Sequence, residues 1–271
     1  MQNKESAIYL YCFARSDLLP VIEAKGFDGQ SPLSLQLLSE VTAVIGRVPI
    51  EEFIGPEADK RMQDLAWVGP RACRHEEVIE EAIHRSPVLP ARFGTIFSSE
   101  EALDSYLKTN YETISKFLNY VADKEEWGVR GMMDRVKVKE NHFSILLTEQ
   151  ERFLSSLPPG RRYFQEKRLQ MDLEKKLNLW LEEVSGKVRD HLSYLAADYC
   201  ERRILSRTVT GLEKDMIANW AFLLPQRAFG NFRALVDQIN SEYDQDGLVF
   251  EFSGPWPPYS FYHPPSPDQG Q

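Results

Sequence analysis

Between Arg161 and Cys200 apolar residues recur at threes and fours: Leu173, Leu177, Trp180, Val184, Val188, Leu192, Leu195 and Tyr199. This spacing follows the helical turn and predicts one long helix with an apolar stripe. At 1.5 Å rise, some 35 to 40 residues reach roughly 50 to 60 Å, against about 17 to 20 Å for a strand of five or six. Most of such a helix overhangs its own sheet, so the stripe has to meet the other domain, another chain or solvent. Gly186 is the position at which it would kink or break.

Elsewhere the period is shorter. Ala7 to Ala14 (AIYLYCFA) is rich in aromatic and branched residues on both faces, the pattern of a central strand. SLQLLSEVTAVIGRV reads as a hairpin turning near Ser39-Glu40. Glu57 to Arg85 is helical, interrupted at Gly69-Pro70, with Val78, Ile79, Ala82 and Ile83 as its stripe. Val88 to Phe97 is a strand in which Pro90 and Gly94 suggest an edge position or a bulge. Ser98 and Glu101 have capping-box spacing and open a helix to about Ala122.

The second half begins with a strand near Glu126 to Met133 and a weakly patterned connection through Pro158-Pro159-Gly160. After the long helix come strands at Arg203 to Val209 and Asp215 to Leu224, a helix from Gln226 to about Tyr243, and a strand from Leu248 to Ser253. The predicted fold class is therefore α+β in two domains. Residues 1–122 form an N-terminal α+β domain, and 123–253 a ferredoxin-like domain of order β-α-β-β-α-β containing the long helix. Residues 254–271 form a proline- and aromatic-rich C-terminal extension and tail.

That extension is unusual. In FEFSGPWPPYSF an alternating strand runs into three prolines, which lack N–H donors and fix φ, so the segment after Gly254 is expected to be extended and irregular. It reads as an exposed ligand, a latch or a disordered tail. Continuity with the last strand favours a latch, with Trp256, Pro257, Pro258, Tyr259 and Phe261 as interface candidates. The end, YHPPSPDQGQ, reads as disordered.

Composition narrows the function. A chain of 271 residues with 42% hydrophobic content can bury two cores. A net charge of −9 argues against nucleic acid, whose binding rests on Lys and Arg neutralising phosphates. No apolar run approaches the roughly 18 residues of a membrane span, and nothing at the N-terminus resembles a targeting segment. Cys12, Cys73 and Cys200 form neither a CxxC nor a zinc pattern, the usage of a reduced cytoplasmic protein, and Cys12 falls in phase with Ile8 and Leu10 as a buried structural thiol.

Candidate chemistry is sparse. In RHEEVIEEAIHR, His75 and His84 stand nine residues apart on opposite sides of a helix, and the segment reads as a solvated acidic face with pairs such as Glu81 beside Arg85. His142, His191 and His263 have no ligand cluster nearby. There is no GxSxG, Walker loop or GxGxxG. Arg92 and Glu251 sit in apolar strands, where an unpaired charge is costly, and read as members of a structural ion pair or hydrogen bond. Nothing gathers an acid, a base and an oxyanion donor, so no catalytic, cofactor or metal residue is expected.

SPVLPARFGTIFSSEEAL (Ser86 to Leu103), preceded by RHEEVIEEA (Arg74 to Ala82) and answered by SGPWPPYSF (Ser253 to Phe261), resembles the gas vesicle protein F/L family (GvpF/GvpL), the F type preferred. IYLYCF, EEWGVR and the helix after PPGRRYF extend the likeness over essentially the whole chain. The resemblance implies a non-enzymatic minor structural or assembly protein of gas vesicles, the gas-filled shells that give buoyancy. It implies binding of the hydrophobic shell protein GvpA, and of other gas vesicle proteins, during nucleation. It implies no cofactor, nucleic-acid partner or lipid membrane, and a location at the gas vesicle in the cytoplasm with a soluble pool. It makes Pro90, Arg92, Phe93 and Gly94 structural members of the family motif. The second reading is a ligand-binding regulator or enzyme on a ferredoxin-like domain, because fold alone does not decide function.

Overall fold

The computed structural model describes residues 6–211 and 213–262. Helix and sheet are mixed, with two sheets in two compact units, one holding the described residues up to Glu125 together with 257–262, the other Glu126–Trp256.

In the first unit the elements are β1 (Ser6–Arg15), β2 (Ser34–Leu38), β3 (Val41–Pro49), α1 (Pro56–Gln63), α2 (Leu65–Ile83), β4 (Val88–Pro90), β5 (Ile96–Phe97) and α3 (Glu100–Val121). The sheet order is β2-β3-β1-β4, with β5 also on β1. β1 is buried from Ala7 to Ala14 because apolar residues occupy both its faces. Tyr9 and Tyr11 share a core with Val78, Ile79 and Ala82 of α2, whereas Phe13 stacks on Tyr106 of α3.

The register of β1 against β3 shifts between Leu10 and Cys12. Such a bulge inserts one residue and reverses the alternation beyond it. Cys12 therefore shares the core of Tyr9 and Tyr11, not the phase of Ile8 and Leu10. It is fully buried, and burial pushes its thiol pKa up.

Three other expectations shift. The helical break falls at Asp64, whose side chain accepts from Ala66 N at 3.0 Å and caps α2, while Pro70 stays inside α2. Lying near the helix start, Pro70 forfeits one ladder bond without ending the helix. Val88 to Phe97 is two short strands flanking a turn, because Pro90 and Gly94 interrupt the ladder. The cap of α3 is Ser99, one residue later than expected, accepting from Ala102 N at 3.2 Å.

The second unit contains β6 (Lys124–Met133) from Glu126 onward, α4 (Arg135–Asn141), α5 (Ser144–Ser155), α6 (Pro159–Ser193), β7 (Asp198–Glu201), α7 (Arg207–Thr210), β8 (Asp215–Pro225), α8 (Phe229–Tyr243) and β9 (Leu248–Trp256). The sheet order is β7-β8-β6-β9. Its core joins Val129, Phe222 and Phe250 of the sheet to Leu177, Val184 and Val188 of α6 and Phe232 of α8. The connection after β6 is two helices, the first capped by Asp134.

α6 runs 35 residues through Gly186 without a break, about 52 Å at 1.5 Å per residue. It ends at Ser193, so Leu195 and Tyr199 continue its spacing without belonging to it. Tyr199 lies on β7, which precedes the predicted strand at Arg203 to Val209; part of that segment is the turn α7. No described helix is long and apolar enough to cross a membrane.

β9 is an edge strand and runs on through Gly254-Pro255 to Trp256, past the expected end at Ser253. An edge tolerates proline because one side of its ladder needs no partner. Gly254 has φ +137°, and a Cβ there would lie 2.9 Å from the Trp127 ring, so this approach requires glycine. The side-chain amide of Asn240 on α8 takes both free main-chain groups of Phe250: Nδ2 donates to Phe250 O at 3.0 Å, and Phe250 N donates to Oδ1 at 2.7 Å.

Candidate functional site

The motif between β4 and β5 folds as a turn tied to β1. Ala91 N donates to Tyr11 O at 2.9 Å, and Leu10 N donates to Thr95 O at 3.0 Å. Within the turn both Thr95 N and Thr95 Oγ1 donate to Arg92 O. Gly94 supplies φ +85°, which side chains with a Cβ rarely adopt, and its N–H donates to Tyr9 Oη at 3.1 Å.

His75 of α2 completes the arrangement. It is 1% exposed, with Nε2 3.1 Å from Ala91 O and Nδ1 3.0 Å from Tyr9 Oη. A carbonyl only accepts, so Nε2 carries the proton and Tyr9 Oη donates to Nδ1. The chain Gly94 N–H, Tyr9 O–H, His75 N–H, Ala91 O thus answers each polar group in turn. The imidazole stacks on Tyr11 at 5.6 Å and meets Phe93 edge-on at 5.9 Å. Burial lowers its pKa to about 4, leaving it neutral near pH 7.

The C-terminal segment belongs to the same unit. Pro257, Pro258 and Phe261 are buried, with turns closed by Tyr259 N to Pro257 O at 2.7 Å and Phe261 N to Pro258 O at 3.4 Å. Tyr259 packs on the β1 core and its hydroxyl donates to Glu76 Oε1 at 2.8 Å. Desolvation raises the pKa of Glu76, while the Tyr259 bond pulls it down and Glu80 pushes it up. Burial and the neighbouring Glu76 push the Tyr259 phenol pKa up. Tyr262 meets Phe117 of α3 edge-on at 5.3 Å.

Between this strap, the motif turn and α3 lies a cavity of about 360 Å³. Leu10, Phe13, Phe97, Tyr106, Tyr259 and Tyr262 are among its lining residues, and Pro90 and Arg92 also border it. The site is a recess whose wall is mainly apolar and aromatic, suited to an apolar side chain rather than to bond chemistry. Among the described residues no group of three His, Cys, Asp or Glu could hold a metal ion.

The sequence candidates divide. Pro90, Arg92, Phe93, Gly94, Tyr259 and Phe261 converge in the first unit. Trp256 stays on β9, 44% exposed, its indole N–H donating to Ser253 Oγ at 3.3 Å. Arg92 and Glu251 are exposed, so neither is the buried charge that their apolar strands suggested. Arg92 falls on the turn, and Glu251 stands on an edge strand with its side chain in solvent. Glu81 does stand beside Arg85, at 3.7 Å. The acidic face, however, does not contain His75, which is core. The missed signal was phase: 75, 78, 79 and 82 follow i, i+3, i+4, i+7. His263 and the tail beyond it lie outside the described residues.

Comparison with known proteins places this architecture. The family model "Gas vesicle synthesis protein GvpL/GvpF" matches residues 7–263. Gas vesicle protein L of Streptomyces sp. (strain CB03234) is 24% identical, with 93% of this chain and 91% of that one covered. Gas vesicle protein F of the same organism is 27% identical, covering 93% and 98%. The crystal structure of GvpF from Anabaena sp. PCC7120 superimposes with a TM-score of 0.72 at 22% identity, over 94% of this chain and 98% of that one. That of GvpF from Microcystis aeruginosa gives 0.63 at 17%, with the same coverage. The chain belongs to the gas vesicle synthesis protein GvpL/GvpF family.

Proposed function

We propose that the protein is a non-enzymatic minor component of gas vesicle assembly that binds the hydrophobic shell protein GvpA during nucleation and is found at the vesicle. One observation carries this reading: the aromatic-walled recess of about 360 Å³ lies where the PxRFG turn and the C-terminal strap, the two segments that carry the sequence resemblance, meet β1, β5 and α3. Recesses of this kind hold an apolar anchor through desolvation rather than through hydrogen bonds. The strap acts as a latch that forms one wall. The strand order β7-β8-β6-β9 and the chain order β6, α6, β7, β8, α8, β9 favour a ferredoxin-like reading of the second unit.

The test is co-purification of GvpA with the full chain, alongside probing of washed vesicles for the protein. Tyr106→Glu and Phe97→Glu should lose GvpA while the chain keeps its helix content and unfolding midpoint. Neither co-purification nor vesicle association in the parent protein would sink the proposal.

A further inference from the structure

α6 carries two apolar stripes. Leu173, Leu177, Val184, Val188 and Leu192 are buried in the second core. At about 100° per residue, Phe164, Met171 and Leu179 lie on the other side of the helix, two turns apart. They are 74%, 66% and 57% exposed. Leu179 forms a ridge between two grooves, one of about 890 Å³ toward α4 and one of about 500 Å³ toward α5.

The charges beside this stripe are unbalanced. Pro159 to Leu179 holds six basic and three acidic residues in a chain of net charge −9. Other helices pair such residues along their own surface, as in Lys60 with Glu57, Arg74 with Glu77 and Lys108 with Asp104, and α6 does so beyond this stretch, in Lys187 with Glu183. Among the described residues, Arg161, Arg162, Arg168, Lys175 and Lys176 have no carboxylate within ion-pair distance, and Lys167 lies over the Tyr163 ring at 5.0 Å. Glu174, the acid in the larger groove nearest α4, is already held by Arg135 Nη1 at 3.0 and 2.8 Å and by Lys139 at 3.4 Å. Arg135 also reaches Asp215 on β8 at 3.1 Å, so this network fixes α4, α6 and the sheet as one platform.

We propose that the outer face of α6, from Phe164 to Leu179, docks an amphipathic helix of another protein, one with apolar residues two turns apart and flanking carboxylates. A ridge between parallel grooves accepts a helix laid alongside it. The uncompensated lysines and arginines choose an acidic flank. A second copy would present the same basic face to itself and be repelled. This surface is separate from the recess of the first unit, and its test needs no vesicle.

The full chain is titrated against a fluorescent synthetic peptide of about 18 residues, long enough to follow this stretch at 1.5 Å per residue. The peptide carries leucines two turns apart flanked by glutamates; a second version has lysines in place of the glutamates. The glutamate peptide should bind, and the lysine version should bind at least about tenfold more weakly. Met171→Glu with Leu179→Glu should cost the glutamate peptide a similar factor with unchanged circular dichroism and unfolding midpoint. Lys167→Glu with Lys175→Glu should reverse the preference. Equal binding of both peptides, or binding of neither, would overturn the proposal. So would a dimer in sedimentation that Leu179→Glu dissolves, which would assign the face to a second copy. Binding to phosphatidylserine vesicles in place of the peptide, lost in the same variants, would assign it to an anionic lipid surface.

Discussion

Two apolar surfaces of this molecule are treated in opposite ways. At the recess of the first unit, apolar side chains are walled by the chain's own strap, and His75, Tyr9 and Tyr259 each have a hydrogen-bond partner. On the outer face of α6, Phe164 and Met171 lie open beside cations without an acid. Both stretches mix apolar and charged residues in sequence, so composition does not separate them. What differs is whether the fold supplies a cover, and therefore which residues stability depends on.

Mutations within α6 should expose this difference most strongly. Leu177→Ala on the inner face should cost about 2 to 5 kcal/mol by transfer and cavity terms, read from denaturant unfolding followed by tryptophan fluorescence. Next comes His75→Ala, which strands Ala91 O and removes the acceptor of Tyr9. A loss of about 2 to 4 kcal/mol in the first unit is expected.

Acid tests the same residue without mutation. The folded-state pKa of His75 lies below its unfolded value, so its contribution is complete above about pH 6.5 and drains away as pH falls toward about 4. The loss is at most about 3 kcal/mol. Glu76 works in the other direction: its raised pKa means that protonation relieves a desolvated charge, so its part of the stability rises as pH falls toward its unfolded value. His75→Gln should flatten the acid slope, while Glu76→Gln should steepen it; unfolding curves between pH 7 and 4 for the three proteins separate the two contributions.

Smaller again is Tyr259→Phe, which removes a hydroxyl donor from a half-buried carboxylate and should cost about 1 to 2 kcal/mol. Glu76→Gln in the same background should recover part of that loss. Smallest is Leu179→Ser, expected within about 0.5 kcal/mol of the parent. A large effect there would mean that the chain itself covers the outer stripe, and the contrast with the recess would fail.

Much of this was legible because long periodic segments declare themselves. α6 follows from its spacing, α3 from a capping signal and β1 from its aromatic and branched run, and Asp215 to Leu224 lies within a residue of its observed bounds. The illegible parts were set by single residues acting against the pattern. A bulge at Leu10/Cys12 moved Cys12 to the other face, and Ser99 outcompeted Ser98 as the cap. An edge position lets β9 keep Pro255, although proline ordinarily ends a ladder. The recess was half visible. Its motif and strap stood out, but His75 was hidden by the acids around it, since Glu76, Glu77, Glu80 and Glu81 mask a histidine in phase with Val78 and Ala82.

The Asn240 amide against Phe250 has a consequence for how copies of this chain meet. An exposed edge strand is a template: whatever pairs with it exposes a fresh edge, and growth continues without limit. One carboxamide on α8 takes the donor and the acceptor that the next strand would need at the middle of β9, and Glu251 beside them puts a charge in solvent. Polymerisation through that edge is thereby terminated before it starts, by a side chain standing in for a strand.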